Sequence, residues 1–400
     1  MKRLILFLLI IPVFFFACNN HTKTPVKEEI PILSWYSIPA EDATLERYQE
    51  LKDAGFTINF SHIYNIEDAK KSLDFAQQVG IKVMFMCNEL RTNTDSVVNL
   101  VKNHPALAGY FLCDEPVCSG FPDLREWADK IKAADSTHLL YLNLLPVEVP
   151  EEALGDTYQG YVKRFIEEVK LPLVSFDCYP VVGDELKPLW YKNLEIVSEE
   201  SRKANLPFWA FALATAHSSY PIPTMAELKL QMYSNLAYGA QVLQYFTYWN
   251  PDTLTWNFHQ APITINKKRG PVYDRVKELN KEIQNRAFVF ANSKVISVNH
   301  TGDSIPEGTK KLENLPSFVN SFNTNGDDAI FSIIEKNGKT YLAVVNCSFK
   351  KDIIMNVTFN GKVDRIMKDG SIEDVSNYEP YYRIDAGDIE IFTPSQENQL

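Results

Sequence analysis

Two adjacent acidic residues end an apolar segment and are the first residues whose types suggest catalysis. Residues 108–116 read AGYFLCDEP, and their aromatic and small side chains predict a buried strand that ends at Asp114 and Glu115. Pro116 lacks the N–H that would continue the strand. Acidic residues are rarely buried unless they are paired or used, so this strand end indicates a general acid. The alternative is that both acids are the first solvated residues of a loop.

Eight apolar segments alternate with segments of helical periodicity, and together they would position these acids. A strand–helix unit repeated eight times predicts an α/β fold, the (β/α)₈ TIM barrel, and continuous apolar runs suit parallel strands that are buried on both faces. A doubly wound open sheet is the alternative, although no glycine-rich phosphate loop follows a predicted strand. The predicted strands span residues 32–37, 55–63, 82–88, 107–113, 138–145, 171–179, 206–215 and 239–249. The predicted helices span residues 45–54, 66–79, 94–102, 124–134, 158–169, 192–203 and 225–238.

The last hundred or so residues have a different pattern, in which short alternating runs are separated by Gly, Asn and Asp turns. Asn337-Gly338 between two such runs predicts a tight hairpin. The pattern predicts a C-terminal antiparallel β-sandwich that packs against the barrel. The predicted domains are a signal peptide at 1–17, a tether at 18–30, the barrel at 31–290 and the sandwich at 291–400.

The N-terminal segment predicts export and a lipid anchor. Lys2 and Arg3 precede an apolar run at residues 4–17, which is too short for a membrane span and is typical of a signal peptide. Ala17-Cys18 resembles a bacterial lipoprotein signal, which implies lipidation of Cys18 and anchoring to a membrane of the bacterial cell envelope. Ordinary secretion is the alternative, and the face of the membrane is left open.

Composition excludes several classes of partner. The net charge of −11 argues against nucleic acid or an anionic membrane surface as the main partner. Of the 6 cysteines, the five other than Cys18 show neither CxxC pairs nor Cys/His metal spacing. The sequence therefore predicts no metal and no cofactor.

Polar and aromatic residues end most of the predicted strands. In a TIM barrel the C-terminal strand ends form the active site, and aromatic faces with amides and acids are the groups that bind sugars. His217, and also Trp256 and His259 after the last strand, either line a cleft or only pack. Trp35 and Trp249 are either stacking platforms for a sugar or core residues. The predicted substrate-binding residues are Trp35, His62, Asn88, Glu89, Asp114, Asn143, Tyr179 and Trp249.

The fourth strand end, within a barrel followed by a sandwich, resembles the glycoside hydrolases of clan A. In that clan strand four ends in Asn-Glu-Pro, and the Glu is the general acid/base. Glu115 and Pro116 match this motif, whereas Asp114 replaces the Asn. The resemblance implies that Glu115 is the proton donor and that the substrate is an oligo- or polysaccharide.

One departure concerns the second catalytic carboxylate. Clan A enzymes carry a nucleophilic Glu at the end of strand seven, where residues 208–217 contain no acid. Asp177, at the end of strand six, is the predicted catalytic partner, with Glu89 in reserve. A separation of about 5–5.5 Å would indicate a direct nucleophile, and about 6.5–9.5 Å inversion through water. The Asp-Glu pair also resembles hexosaminidases and chitinase-like enzymes, in which the substrate's N-acetyl group attacks; Asp114 would then orient that group and Asp177 would support it.

The resulting hypothesis is a membrane-anchored glycoside hydrolase with Glu115 and Asp177 as catalytic residues. The rival is a non-catalytic glycan-binding lipoprotein on a barrel scaffold, which the missing acid on strand seven favours. A metal-dependent hydrolase is a third possibility, but the sequence lacks the His-x-His ligands that it would need.

Overall fold

The central feature of the structure, a computed structural model that describes residues 28–395, is a closed barrel of eight parallel strands. The predicted (β/α)₈ fold is confirmed. Around the barrel the strands follow the order β5-β4-β3-β2-β1-β8-β7-β6, and the Leu144 N–H donates to the Ser175 carbonyl at 2.8 Å to close the ring. The predicted signal peptide and Cys18 lie outside the described residues. The strands are β1 Ile32–Trp35, β2 Ile58–Asn59, β3 Lys82–Phe85, β4 Leu107–Asp114, β5 Leu139–Asn143, β6 Val174–Phe176, β7 Phe208–Leu213 and β8 Val242–Phe246.

The helices that surround the barrel begin and end at recognisable caps. The Asn65 side chain accepts the Asp68 N–H at the start of α2, and Gly80 ends the helix at a φ of 75°. Among residues 28–395, no helix combines the length and apolar character that a membrane crossing needs. The helices are α1 Leu45–Asp53, α2 Ile66–Val79, α3 Asn88–Thr92, α4 Thr94–Val101, α5 Phe121–Ala134, α6 Glu151–Leu154, α7 Tyr158–Arg164, α8 Trp190–Lys203, α9 Met225–Tyr238, α10 Thr253–Trp256, α11 Pro271–Asn285 and α12 Ala287–Phe290.

The strands are shorter than the apolar segments that predict them. The second segment, predicted as a strand over residues 55–63, contains only Ile58–Asn59 as strand. Phe60 and Ile63 nevertheless remain buried, because the loop that follows the strand packs on the barrel. The helix predicted over residues 158–169 becomes α7 and then a π-helical turn at Phe165–Val169.

Alternate side chains of the strands fill the barrel interior. Phe111, Tyr141 and Trp209 belong to the cluster inside it, whereas the residues between them face the surrounding helices. Strands β4 and β5 approach so closely that a Cβ on Gly109 would lie 2.3 Å from the Leu139 carbonyl oxygen. Only glycine fits this position of β4.

Two antiparallel sheets follow the barrel and share one apolar core. The six-stranded sheet has the order β9-β11-β12-β17-β14-β15, and the three-stranded sheet the order β10-β13-β16. The predicted hairpin turn is present, with φ of 50° at Asn337 and 77° at Gly338. Strands β9, β10 and β15 were not predicted, because polar residues interrupt their short apolar patterns. These strands are β9 Lys294–Thr301, β10 Val319–Asn323, β11 Ala329–Lys336, β12 Lys339–Asn346, β13 Ile353–Phe359, β14 Val363–Ile366, β15 Ile372–Asp374, β16 Tyr381–Ile384 and β17 Ile389–Pro394.

The antiparallel sheets pack on the helices behind β7 and β8. The Lys229 ammonium on α9 lies 2.6 Å from Asp388 and 3.2 Å from Glu282 on α11. At Gly387, where φ is 69°, a Cβ would lie 2.1 Å from the Ala226 carbonyl oxygen. A buried ion pair and a close backbone approach thus fix the sheets to one side of the barrel.

Candidate active site

A cavity of about 470 Å³ opens at the C-terminal end of the barrel strands. This is the end at which TIM barrels place their chemistry. The wall combines three carboxyl groups with a larger number of aromatic rings, and no Lys or Arg is among the residues that line it. These lining residues are Trp35, Asp114, Glu115, Asn143, Asp177, Tyr179, Phe211, His217, Ser218, Tyr220, Phe246, Trp256 and Phe258.

A β-bulge directs both acids of β4 into the cavity. Phe111 pairs with Tyr141 and Asp114 with Asn143, so β4 carries one extra residue over this stretch. Glu115 follows with a φ of 48°, a conformation that residues other than glycine seldom adopt. Its N–H donates to the Asn143 carbonyl at 2.8 Å. Such local backbone strain is common where a side chain must be held in place for function.

Asp177 follows β6 and lies against Glu115. The Asn143 side-chain amide donates to Asp177 Oδ1 at 2.6 Å, and Tyr179 also lowers the pKa of this carboxyl. Glu115 lines the same cavity, and its interaction with Asp177 raises the pKa of Asp177 and lowers that of Glu115. The protonation of one carboxyl group therefore depends on that of the other.

Partial removal from bulk water is the main electrostatic influence on this carboxyl cluster, in which Asp114 and Glu115 stay exposed to the cavity. It raises the pKa of Glu115, and the charge of Asp114 raises it further. Burial and the charge of Glu115 raise the pKa of Asp177, while burial and the charge of Asp177 raise the pKa of Asp114 to about 7. Asp177 accepts hydrogen bonds that favour its ionised form from Asn143 and Tyr179. Glu115 keeps a raised pKa, because burial and the charge of Asp114 outweigh the lowering by Asp177.

The opposite part of the cavity wall is aromatic. The rings of Tyr179 and Phe246 stack with centroids 5.6 Å apart, and Phe258 packs against Phe246. Trp256, which ends α10, is 58% exposed at the mouth of the cavity. Exposed aromatic faces of this kind can stack on the C–H face of a sugar ring.

The structure brings six of the predicted site residues together and places four outside the cavity wall. His62 packs edge-on against Trp35, with ring centroids 5.7 Å apart, and burial lowers its pKa to about 4. Asn88 and Glu89 begin α3, away from the lining residues. Trp249 is buried under the Arg47 guanidinium, 5.2 Å from its ring centroid, as a core aromatic would be. The six that line the cavity are Trp35, Asp114, Glu115, Asn143, Asp177 and Tyr179.

Several residues of the aromatic wall were not predicted from the sequence. Strand alternation could have indicated Phe246, because Val242, Gln244 and Phe246 share one side of β8 and Gln244 points into the barrel. Tyr220 and Phe258 lie in loops that no periodicity describes. Of the residues that the sequence left undecided between lining a cleft and packing, His217 and Trp256 line the cavity. The missed lining residues are Phe211, Ser218, Tyr220, Phe246 and Phe258.

Within the described part of the chain, no group of three or more His, Cys, Asp or Glu side chains is arranged to hold a metal ion. Of the three carboxyl groups of the cavity, Asp177 accepts a hydrogen bond from Asn143.

Comparison with known proteins shows a likeness at the level of fold. No family model matches the chain, and no curated protein does. The solved structure of a β-galactosidase from Bacillus circulans sp. alkalophilus matches with a TM-score of 0.62 and 9% identity, over 92% of this chain and 99% of that chain. Eubacterium rectale Amy13B matches with a TM-score of 0.56 and 10% identity, over 93% and 97%. A family 39 glycoside hydrolase from Bacteroides cellulosilyticus WH2 matches with a TM-score of 0.54 and 11% identity, over 92% and 81%. The chain therefore has the fold of these structures, a (β/α)₈ barrel.

Proposed function

We propose that the protein is a glycoside hydrolase in which Glu115 donates a proton to the glycosidic oxygen. The observation that carries the proposal is the position of Glu115 with Asp114 and Asp177 in the wall of an aromatic-lined cavity at the C-terminal end of the barrel. A carboxyl group whose pKa is raised stays protonated near neutral pH, as a general acid must. The fold shared with solved glycosidases supports this proposal.

Asp177 supports Glu115. The two carboxyl groups line the same cavity, and the protonation of one depends on that of the other. Asp177 therefore stays the predicted catalytic partner of Glu115. A nucleophilic role would need a separation of about 5–5.5 Å from Glu115, and inversion through water about 6.5–9.5 Å.

Asp114 is the third carboxylate and faces the sugar. It activates the attacking water or orients the substrate's own acetamido group, as in the substrate-assisted enzymes named above. Matched glycosides with a 2-hydroxyl or a 2-acetamido group distinguish these routes, because only the second carries an internal nucleophile. An acidic cavity without Lys or Arg in its wall favours uncharged or amine-bearing sugars over uronic acids or sulfated glycans.

The test is hydrolysis of a panel of oligosaccharides by the purified protein and by Glu115→Gln. The variant is expected to lose most of the activity, and full activity in the variant would show that Glu115 is not the proton donor. The rival function, glycan binding without turnover, is favoured by the absence of an acid in β7. Saturable binding by the wild type, with no release of reducing ends from any member of the panel, would support that rival.

Membrane anchoring through Cys18 is part of the proposal. The charged start, the apolar run and the Ala17-Cys18 pair support lipidation in a bacterial envelope. Radiolabelled palmitate is expected to label the wild type and not Cys18→Ala. Label that persists in the variant would refute the anchor.

A further inference from the structure

A chain of buried hydrogen bonds crosses the barrel interior and ends at the candidate active site. The Tyr141 hydroxyl donates to Gln244 Oε1 at 2.5 Å, and Gln244 Nε2 donates to Ser175 Oγ at 2.9 Å. Ser175 in turn donates to Asn143 Oδ1 at 3.0 Å, and Asn143 Nδ2 donates to Asp177. Tyr141, Ser175 and Gln244 are 0% exposed. The chain thus joins β5, β8 and β6 beneath the cavity floor.

The orientation of the Asn143 amide fixes the direction of every bond. Its NH₂ group faces Asp177 Oδ1, which accepts the hydrogen bond. The Asn143 carbonyl then requires a donor, and the Ser175 hydroxyl supplies it. Ser175 must therefore accept from Gln244, whose carbonyl is left to accept from Tyr141. Hydrogen bonds aligned in one direction polarise one another and strengthen the last bond in the series.

We propose that Ser175, Gln244 and Tyr141 are positioning residues that hold the Asn143 amide nitrogen toward Asp177 and so favour the ionised form of that carboxyl. This inference rests on the proposed function for its catalytic meaning. The inference itself concerns the ionisation of Asp177, which can be measured without any substrate. None of the three side chains lines the cavity, so they act through Asn143.

Other groups around Asp177 do not replace this chain. Glu115 and Asp114 face it from β4, and both favour its protonated form. Tyr179 and Cys178 adjoin it, and Tyr141 and Tyr158 face it from β5 and α7; burial raises the pKa of all four. They therefore stay neutral at the pH of an assay. Asn143 and Tyr179 are the donors that favour the carboxylate, and only Asn143 belongs to the chain.

The experiment breaks the chain at its middle and at its far end. In Ser175→Ala the Asn143 carbonyl loses its donor and the amide can turn away, so the pKa of Asp177 is expected to rise by about one pH unit. Tyr141→Phe is expected to give a smaller shift in the same direction. Carbon-13 NMR of side-chain carboxyls in labelled protein measures the titration directly, with Asp177→Asn to assign the signal. The acidic limb of the pH profile of kcat/KM should move by the same amount.

Two buried residues on the outer face of the barrel provide matched controls. Ser72 hydrogen-bonds Tyr48 at 2.5 Å, and Tyr245 donates to Asn280 at 2.9 Å. Ser72→Ala and Tyr245→Phe remove the same atoms from equally buried sites and are expected to leave the Asp177 titration unchanged. An unchanged titration in Ser175→Ala, or equal shifts in the controls, would overturn the proposal. A shifted titration in a protein without glycosidase activity would uphold it and refute the proposed function instead.

Discussion

Replacing Glu115 by glutamine is expected to remove proton donation and to stabilise the protein above neutral pH. Burial, and then the charge of Asp114, raises the pKa of this carboxyl on folding. The folded state therefore binds the proton more tightly than the unfolded state does. The resulting destabilisation is absent below the unfolded pKa, grows as pH rises toward the folded pKa and is complete above it. Glutamine carries no charge, so this destabilisation at high pH is absent in the variant.

The expected magnitudes follow from the geometry. A general acid contributes roughly 10²–10⁴-fold in rate, which corresponds to about 2.7–5.4 kcal/mol of transition-state stabilisation. One pKa unit corresponds to about 1.4 kcal/mol, but Glu115 is open to a water-accessible cavity, which screens its charge. We therefore expect a gain in unfolding free energy near pH 8 and none near pH 4.

Two assays check this prediction. Urea unfolding at both pH values measures stability, with Glu67→Gln on the exposed face of α2 as the baseline for a Glu-to-Gln change. Rates on an alkyl glycoside and on a dinitrophenyl glycoside measure chemistry, because the dinitrophenolate leaves without a proton and should be spared. A variant that is less stable near pH 8, or equally slow on both substrates, would refute the reasoning.

Three further predictions concern the scaffold and the cavity mouth. Gly109→Ala should lower the unfolding free energy by about 1–3 kcal/mol in urea titrations, because its Cβ would collide with β5; Gly120→Ala, with nothing within 4 Å of its Cβ, should not. Trp256→Ala should raise KM by about tenfold with little change in kcat, measured by steady-state kinetics, because the exposed ring binds sugar without touching the reacting bond. Lys229→Met should cost about 1.5–3 kcal/mol in chemical unfolding, because Asp388 would lose its buried partner on α9 and keep only the half-exposed Lys368, whereas the double variant with Asp388→Leu should recover most of the loss.

The sequence predicts the order of the elements better than their ends. The bounds of α2 and α9 coincide with the predicted helices, because caps such as Asn65, Gly80 and Thr224 are visible in the sequence. Strand ends are not marked in this way. Phe60 and Ile63 are as apolar as the strand before them, since the loop that holds them is also buried. The domain limits at residues 290 and 291 stay a prediction.

Site residues were predictable where the order of the strands alone brings them close together. Asp114, Asn143 and Asp177 end neighbouring parallel strands, so they had to lie close together. The entry of Glu115 into the same cavity was not predictable, because it depends on the β-bulge and on the positive φ of Glu115. The aromatic wall depends on loops whose paths no periodicity describes.

The division of the cavity wall has a consequence for inhibitors. The acids come from β4 and β6, neighbours across β5, whereas the aromatic rings other than Tyr179 come from β1, β7, β8 and the loops after them. A compound with an ammonium group on one edge and a bare hydrocarbon face on the other can satisfy both sectors in only one orientation. The two enantiomers of an amine-bearing sugar mimic should therefore inhibit with different potency. The potency should rise with pH as the carboxyl groups of the cavity lose their protons.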